Sequence, residues 1–243
     1  MIPKVIHYCW FGRNPLPDSA LKCIASWRKY LPNYEIKEWN EDNFDVNIIP
    51  YTRQAYEAKK YAFVSDYARF WILYNYGGLY FDTDVEVIRP IDDIIERGPF
   101  MGIELMCDNG FPMVNPGVGI GAEKGMNIYK EALDKYAHLS FLNNDGSFNH
   151  KTIVSYTTEL LMLHNLLSVN KLQQIADIWI YPIDYFNPLN DLTGKINITE
   201  NTRSIHWFMN SWSDSSSVRQ WLSRMSHRLF GMRIHKLRKL LSK

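Results

Sequence analysis

The chain has 243 residues, 46% of them hydrophobic and 22% charged, which supplies one core of ordinary size and argues against general disorder. Its 27 basic and 26 acidic residues leave a net charge of +1, so nothing in the overall charge favours a nucleic-acid partner. Three scattered cysteines (Cys9, Cys23, Cys107) exclude a disulfide framework or a zinc knuckle, and they predict reduced thiols in a cytoplasmic protein.

In chain order, Val5–Phe11 is β-branched and aromatic, which predicts a buried strand running into a loop over residues 12–17. Asp18 or Ser19 is placed to cap a helix ending near Tyr30, before Pro32 and Asn33. Tyr34–Trp39 alternates as a second strand and exits through a turn of Asn and acidic residues. Tyr67–Tyr76 reads as a helix with a wide apolar face, ended by Gly77-Gly78. Leu79-Tyr80-Phe81 begins a buried strand that stops at Asp82-Thr83-Asp84, and Val85–Ile88 is expected to resume it. Helix, glycine pair, strand and acidic end together form an α/β crossover.

Farther on, Asn115–Gly121 is glycine-rich between apolar residues. Helices are expected over 127–136 and 155–167, a loop over 143–149, a strand over 178–183 and a polar-aromatic segment over 204–212. No leader peptide is visible at the N-terminus, and Asp66 and Arg69 interrupt the apolar stretch 61–81, so it makes a poor membrane span.

Asp82 and Asp84, two apart at the end of a hydrophobic strand, can converge on one hard divalent cation whose other positions stay open to phosphate oxygens. The alternative is a pair of solvated turn carboxylates, which the preceding apolar run and glycine-turned helix disfavour. Asp66 and Arg69, three apart, share a helix face. They form either an internal ion pair or an edge that holds sugar hydroxyls and phosphate.

The run Val64–Val85, with Asp66, Arg69, Gly77-Gly78 and Asp82-Thr83-Asp84, resembles the signature of glycosyltransferase family 32, the sugar-binding region containing a DXD motif. That family is related to initiating mannosyltransferases and to the catalytic domains of large glucosylating toxins. Residues 2–12 resemble its N-terminal strand and loop, residues 32–39 its second block, and His206-Trp207 with Ser211-Trp212 its closing motif. The resemblance is good over residues 2–90, loose in the middle and present again over 204–212. It implies a GT-A fold for residues 1–214, a Rossmann-like mixed sheet flanked by helices. It also implies a nucleotide-sugar donor, uridine favoured over guanosine, with Mn2+ or Mg2+ as cofactor and retention of configuration.

Carried over residue by residue, the resemblance gives Trp10 the nucleotide base to stack on and gives Asp66 and Arg69 the donor sugar. Asp82 would contact ribose and the metal shell, and Asp84 would ligate the metal directly. Arg69 and the cation would neutralise the leaving diphosphate. His206 becomes a third contact to metal or diphosphate, Ser211 and Trp212 become donors to the β-phosphate, and Asn115 lines the sugar pocket. Plainer roles stand beside these: a core aromatic for Trp10, a structural imidazole for His206, a turn-forming Asn115. Many family members carry Gly-Pro near 152–160, where this chain reads Thr152–Glu159, so no acceptor residue is assigned.

From Ser217 to Lys243 there are eight Lys and Arg and no acid, which leaves −7 for residues 1–216. Val218, Trp221, Leu222, Met225 and Leu229 recur there at helical spacing. Residues 215–243 thus read as a basic amphipathic helical tail suited to an anionic membrane surface, at the inner face of the cell membrane, or else to the acidic body. The expected function is hexose or N-acetylhexosamine transfer to a glycan or lipid-linked acceptor in capsule or lipopolysaccharide synthesis. The alternatives are a haloacid-dehalogenase-like phosphatase using Asp82 and Asp84, and a non-catalytic sugar-binding module at a membrane.

Overall fold

The structure is a computed structural model that describes residues 1–191 and 193–209. In chain order its elements are β1 (Val5–Cys9), α1 (Asp18–Tyr30), β2 (Glu35–Trp39), α2 (Pro50–Glu57), α3 (Tyr61–Tyr76), β3 (Gly78–Tyr80) and β4 (Val85–Val87). Then come α4 (Asp92–Arg97), β5 (Phe100–Met106), β6 (Pro112–Asn115), β7 (Ile120–Ala122), α5 (Asn127–Ala137) and α6 (Ile153–Leu163). The described chain ends with β8 (Gln173–Ile175), β9 (Ile178–Tyr181), α7 (Ile183–Phe186), β10 (Leu189–Asn190), β11 (Lys195–Ile196) and β12 (Ser204–His206).

The main sheet runs β2-β1-β3-β7-β5-β9-β8, with β6 paired to β5. β1 is parallel to both β2 and β3, whereas β7 lies antiparallel to β3 and β5. This is the expected mixed α/β sheet flanked by helices. Alternation along the strands separates two cores. Ile6, Tyr8, Leu79 and Phe81 face α1 and its Trp27, while Cys9 and Tyr80 face α3, α5 and α6.

Four expectations are corrected. Val85–Val87 does not continue β3: Val85 N–H donates to Asp82 C=O at 3.0 Å, so the acidic tripeptide turns the chain out of the main sheet, and β4 pairs with β12 instead. Neither Asp18 nor Ser19 caps α1, because Pro17 occupies the cap position and Asp18 supplies a first-turn acid to the helix dipole. The helix expected over 67–76 begins earlier, at Tyr61, since Phe63 and Val64 bury with the rest of its apolar face. The helix expected over 155–167 starts at Ile153, where the Thr152 hydroxyl accepts from Ser155 N–H, and ends at Leu163.

The α3–β3 connection needs both glycines. Gly77 and Gly78 have φ of 67° and 100°, and a Cβ on Gly78 would stand 2.7 Å from the Val5 carbonyl. His7 lies across this turn, its Nε2–H donating to the Gly77 carbonyl (3.0 Å) and its Nδ1 accepting from Trp39 Nε1–H (3.1 Å). Burial first, with Lys37 nearby adding to it, brings the His7 pKa down to about 4, so the ring is neutral in the native fold.

Candidate active site

The carboxyl ends of β1 and β3 open into a cleft of about 1300 Å3 where the strand order reverses, the chain running from β1 out to β2 and returning to β3 on the other side of β1. Ligands in open α/β sheets collect at such a switch point. Trp10, Asp66, Arg69, Asp82, Asp84, Asn115 and His206 all line it. Segments from five parts of the chain therefore meet at one place.

Asp82 is fixed from the helix side. Arg69 donates through Nη1 to Asp82 Oδ2 (3.2 Å), its Nη2 lies 3.1 Å from Asp82 Oδ1, and Nη2 also donates to Asp66 Oδ1 (3.1 Å). The same guanidinium lies 4.8 Å from the centre of the Tyr80 ring, whose hydroxyl donates to Asp82 Oδ1 at 3.3 Å. Two carboxylates thus share one buried guanidinium. Burial, opposed by Arg69, pushes Asp66 up to about 7, and although burial disfavours the Arg69 charge, Asp82 and Asp66 hold that charge in place. Asp66 and Arg69 form an ion pair, and both also border the cleft. With Arg69 on both its oxygens, Asp82 is a poor phosphatase nucleophile.

Asp84 is fixed from the opposite side. Its Oδ1 lies 3.2 Å from His206 Nε2, and its Oδ2 accepts from Met209 N–H at 2.9 Å. The pairing of β12 with β4 brings His206 to this position. Burial would raise the Asp84 pKa, but His206 outweighs it and holds the carboxylate below its usual range. Burial would lower the His206 pKa, and Asp84 outweighs that to raise it.

Trp10 is half-buried at the cleft wall and donates from Nε1 to the Asn14 carbonyl at 2.6 Å, which fixes the plane of the indole. The loop behind it turns at Gly12 (φ 96°), where a Cβ would overlap the Tyr61 ring. Glu41 holds that turn, accepting from Gly12 N–H (2.6 Å) and from the Tyr56 hydroxyl (2.9 Å).

Asn115 ends β6, just before the turn at Pro116 and Gly117, and borders the cleft. Its Oδ1 accepts from Gly117 N–H at 2.6 Å, and its Nδ2 donates to Glu104 Oε2 at 2.7 Å. Gly117 C=O accepts from Asp82 N–H at 3.1 Å, and a Cβ on Gly117 would overlap the Asp82 carboxylate. Burial raises the Glu104 pKa against the opposing pull of His206 and Asn115.

Sequence reasoning missed Tyr80, Glu104 and Gly117 as site residues. Gly117 had a signal in the glycine-rich stretch, and Glu104 is the one charged residue in the apolar strand Phe100–Met106. Ser211, Trp212 and the tail over 215–243 lie outside the described residues.

The two carboxylates are hard oxygen donors that suit Mg2+ or Mn2+, and the imidazole beside them is a borderline donor. Buried His206 Nδ1 has no hydrogen-bond partner among the described residues, so this imidazole retains a nitrogen for a further contact. Among the described residues no three His, Cys, Asp or Glu side chains gather around a single point. The donors fit an ion held by one or two protein groups and completed by phosphate oxygens, as is usual for Mg2+ beside nucleotides.

Residues 17–101 match the family described as "Glycosyltransferase sugar-binding region containing DXD motif". The chain is 26% identical over 172 residues to inositol phosphoceramide mannosyltransferase 1 of Schizosaccharomyces pombe, a match covering 66% of this chain and 48% of that protein. It thus spans about half the length of that curated relative. A glycosyltransferase of Acanthamoeba polyphaga mimivirus, L373, is 26% identical over 196 residues, covering 78% of this chain and 74% of its own. Among solved structures, a glycosyltransferase involved in glycosylation of the major capsid of PBCV-1 superposes with a TM-score of 0.50 at 12% identity. That superposition covers 90% of this chain and 97% of the other, and at such identity it speaks for the fold.

Proposed function

We propose that this chain, whose residues 17–101 belong to the family of glycosyltransferase sugar-binding regions containing a DXD motif, transfers a hexose from a nucleotide-diphosphate sugar to an acceptor hydroxyl with retention of configuration. The observation that carries the reading is convergence: an aromatic platform, a buried acid–arginine pair and an acidic tip from distant parts of the chain line one cleft.

Each residue then has a task that its surroundings suit. Trp10 offers its indole face to the base. Asp66 and Asp82, held by Arg69, present carboxylate oxygens to sugar and ribose hydroxyls, so Arg69 acts through both acids. Asp84 and His206, with Asp82 beside them, would hold a divalent cation. When bound, that cation supplies positive charge against the leaving diphosphate.

The relatives named as mannosyltransferases of inositol phosphoceramide add weight to a hexose donor and a lipid-linked acceptor. The eight basic residues of 217–243 suit an anionic bilayer at which such an acceptor, including one for a surface polysaccharide, would be met. Among the described residues no helix is long and apolar enough to cross a membrane. Flotation with anionic liposomes, full chain against a chain lacking residues 217–243, tests that part, and equal flotation refutes it. For the chemistry, the test is sugar transfer or donor hydrolysis over a panel of UDP- and GDP-sugars. Asp84→Ala is expected to lower kcat/KM on the order of 100-fold or more with folding intact, and full activity in that variant ends the assignment.

A further inference from the structure

Glu104 has no assigned part in the chemistry, yet the fold makes a local exception for it. β5 and β6 pair Ile103 with Val114 and then Leu105 with Met113, so Glu104 is the extra residue of a β-bulge. Bulges re-aim a side chain that regular pairing would point elsewhere. Here the carboxylate lines the cleft, beside Asn115 at the end of β6.

From that carboxylate a run of hydrogen bonds leads to the acidic tip. Glu104 Oε2 accepts from Asn115 Nδ2 (2.7 Å), Asn115 Oδ1 accepts from Gly117 N–H (2.6 Å), and Gly117 C=O accepts from Asp82 N–H (3.1 Å). The direction of the run follows from the chemistry of the groups. An ionised carboxylate can only accept, so Glu104 draws the NH2 end of the Asn115 amide towards itself. The carbonyl end then faces Gly117 N–H, the one arrangement that ties down the turn. Gly117 sits hard against the Asp82 carboxylate, so a shift of this turn shifts the carboxylate. Arg69 fixes Asp82 through its side chain, and the Glu104 run fixes it through its backbone.

We propose that Glu104 is a positioning residue for the acidic tip: through Asn115 and Gly117 it sets the place of Asp82, and with it the grip on a nucleoside diphosphate and its divalent cation. This inference rests on the proposed function and adds to it a residue outside the acidic motif, on the far side of the sheet's switch point.

The test is calorimetric titration of the full chain with Mn2+ plus UDP and, separately, Mn2+ plus GDP, with a thermal melt of every variant. Glu104→Ala is expected to weaken binding of the preferred diphosphate about tenfold or more, the usual cost of losing a partner that orients a ligand group. Glu104→Gln, whose amide oxygen still accepts from Asn115, should stay within about threefold of the parent. Asn115→Asp, isosteric, sets two acids face to face and should weaken binding about tenfold. Adding Glu104→Gln to it reverses the polarity of the same bond, because the Gln amide now donates to Asp, and binding should recover to within about threefold.

Parent-like binding by Glu104→Ala overturns the proposal. So does equal loss in Glu104→Gln and Glu104→Ala, which would mean that the charge matters and the relay does not. A double variant as weak as Asn115→Asp alone overturns it too. If Glu104→Ala melts early, the isosteric variants decide the matter by themselves. A parent chain that binds neither diphosphate refutes the proposed function itself and leaves the relay nothing to position, an outcome separable from the others because it precedes any substitution.

Discussion

The two carboxylates of the acidic tip are held in contrasting ways. Asp82 faces the half built from residues 5–84, where a permanent cation, Arg69, reaches it from the helix immediately before its own strand. Asp84 faces the half built from residues 100–209, where a titratable imidazole reaches it by way of strand β12, about 120 residues later in the chain. One anchor is local and constant in charge, while the other is distant and sensitive to its surroundings. The tip thus has a rigid side, locked to a constant charge, and an adjustable side whose partner titrates.

The contrast can be broken at several points. Gly117→Ala should have the largest effect on activity, since its Cβ would overlap the Asp82 carboxylate and crowd Arg69. Transfer activity should fall roughly 100-fold or more, as for an ångström-scale misplacement of a reacting group. Activity near that of the parent would show that the turn yields easily. Arg69→Met comes next, because it strands Asp66 and Asp82 without their shared cation. Urea unfolding should show a loss of about 3–5 kcal/mol, the usual result of breaking a buried pair from one side. A loss below about 1 kcal/mol would mean that water already screens the cluster.

His7 offers a pH test of the rigid side. Its folded pKa of about 4 lies below the unfolded value of 6.5, so the unfolded chain binds the extra proton across that interval. The stability it contributes is complete above about pH 6.5 and is lost as pH falls towards 4, by roughly 3 kcal/mol. His7→Gln should flatten that part of the stability curve, and an unchanged slope would assign it to other groups. The smallest effect belongs to Trp10→Phe, which keeps a stacking face but loses the Nε1–H bond to Asn14. Diphosphate affinity should drop only several-fold, about 1 kcal/mol, and no change at all would show that the Asn14 bond does not orient the ring for a ligand.

How much of this was legible in the sequence follows the same division. The Asp66-to-Asp84 run carries its own geometry, because helix spacing pairs Asp66 with Arg69 and the Gly77-Gly78 turn returns the strand beneath the helix. The other half was only partly readable. His206 drew attention through a motif, but its contact with Asp84 exists because β12 adds to β4, a long-range pairing without local periodicity. β4 was expected to continue β3 for the same reason, since alternation in Val85–Ile88 reveals a strand and not its partner. Glu104 stayed hidden because a bulge, which depends on the neighbouring strand, aims it into the cleft.

The most direct measurement compares the parent chain with Asp84→Asn in calorimetric titrations with UDP and GDP, each with and without Mn2+. The parent should bind one diphosphate tightly only when Mn2+ is present, and Asp84→Asn, folded by its thermal melt, should lose most of that metal-dependent gain. Binding by Asp84→Asn with the same affinity and the same dependence on Mn2+ would contradict a cation site at the acidic tip.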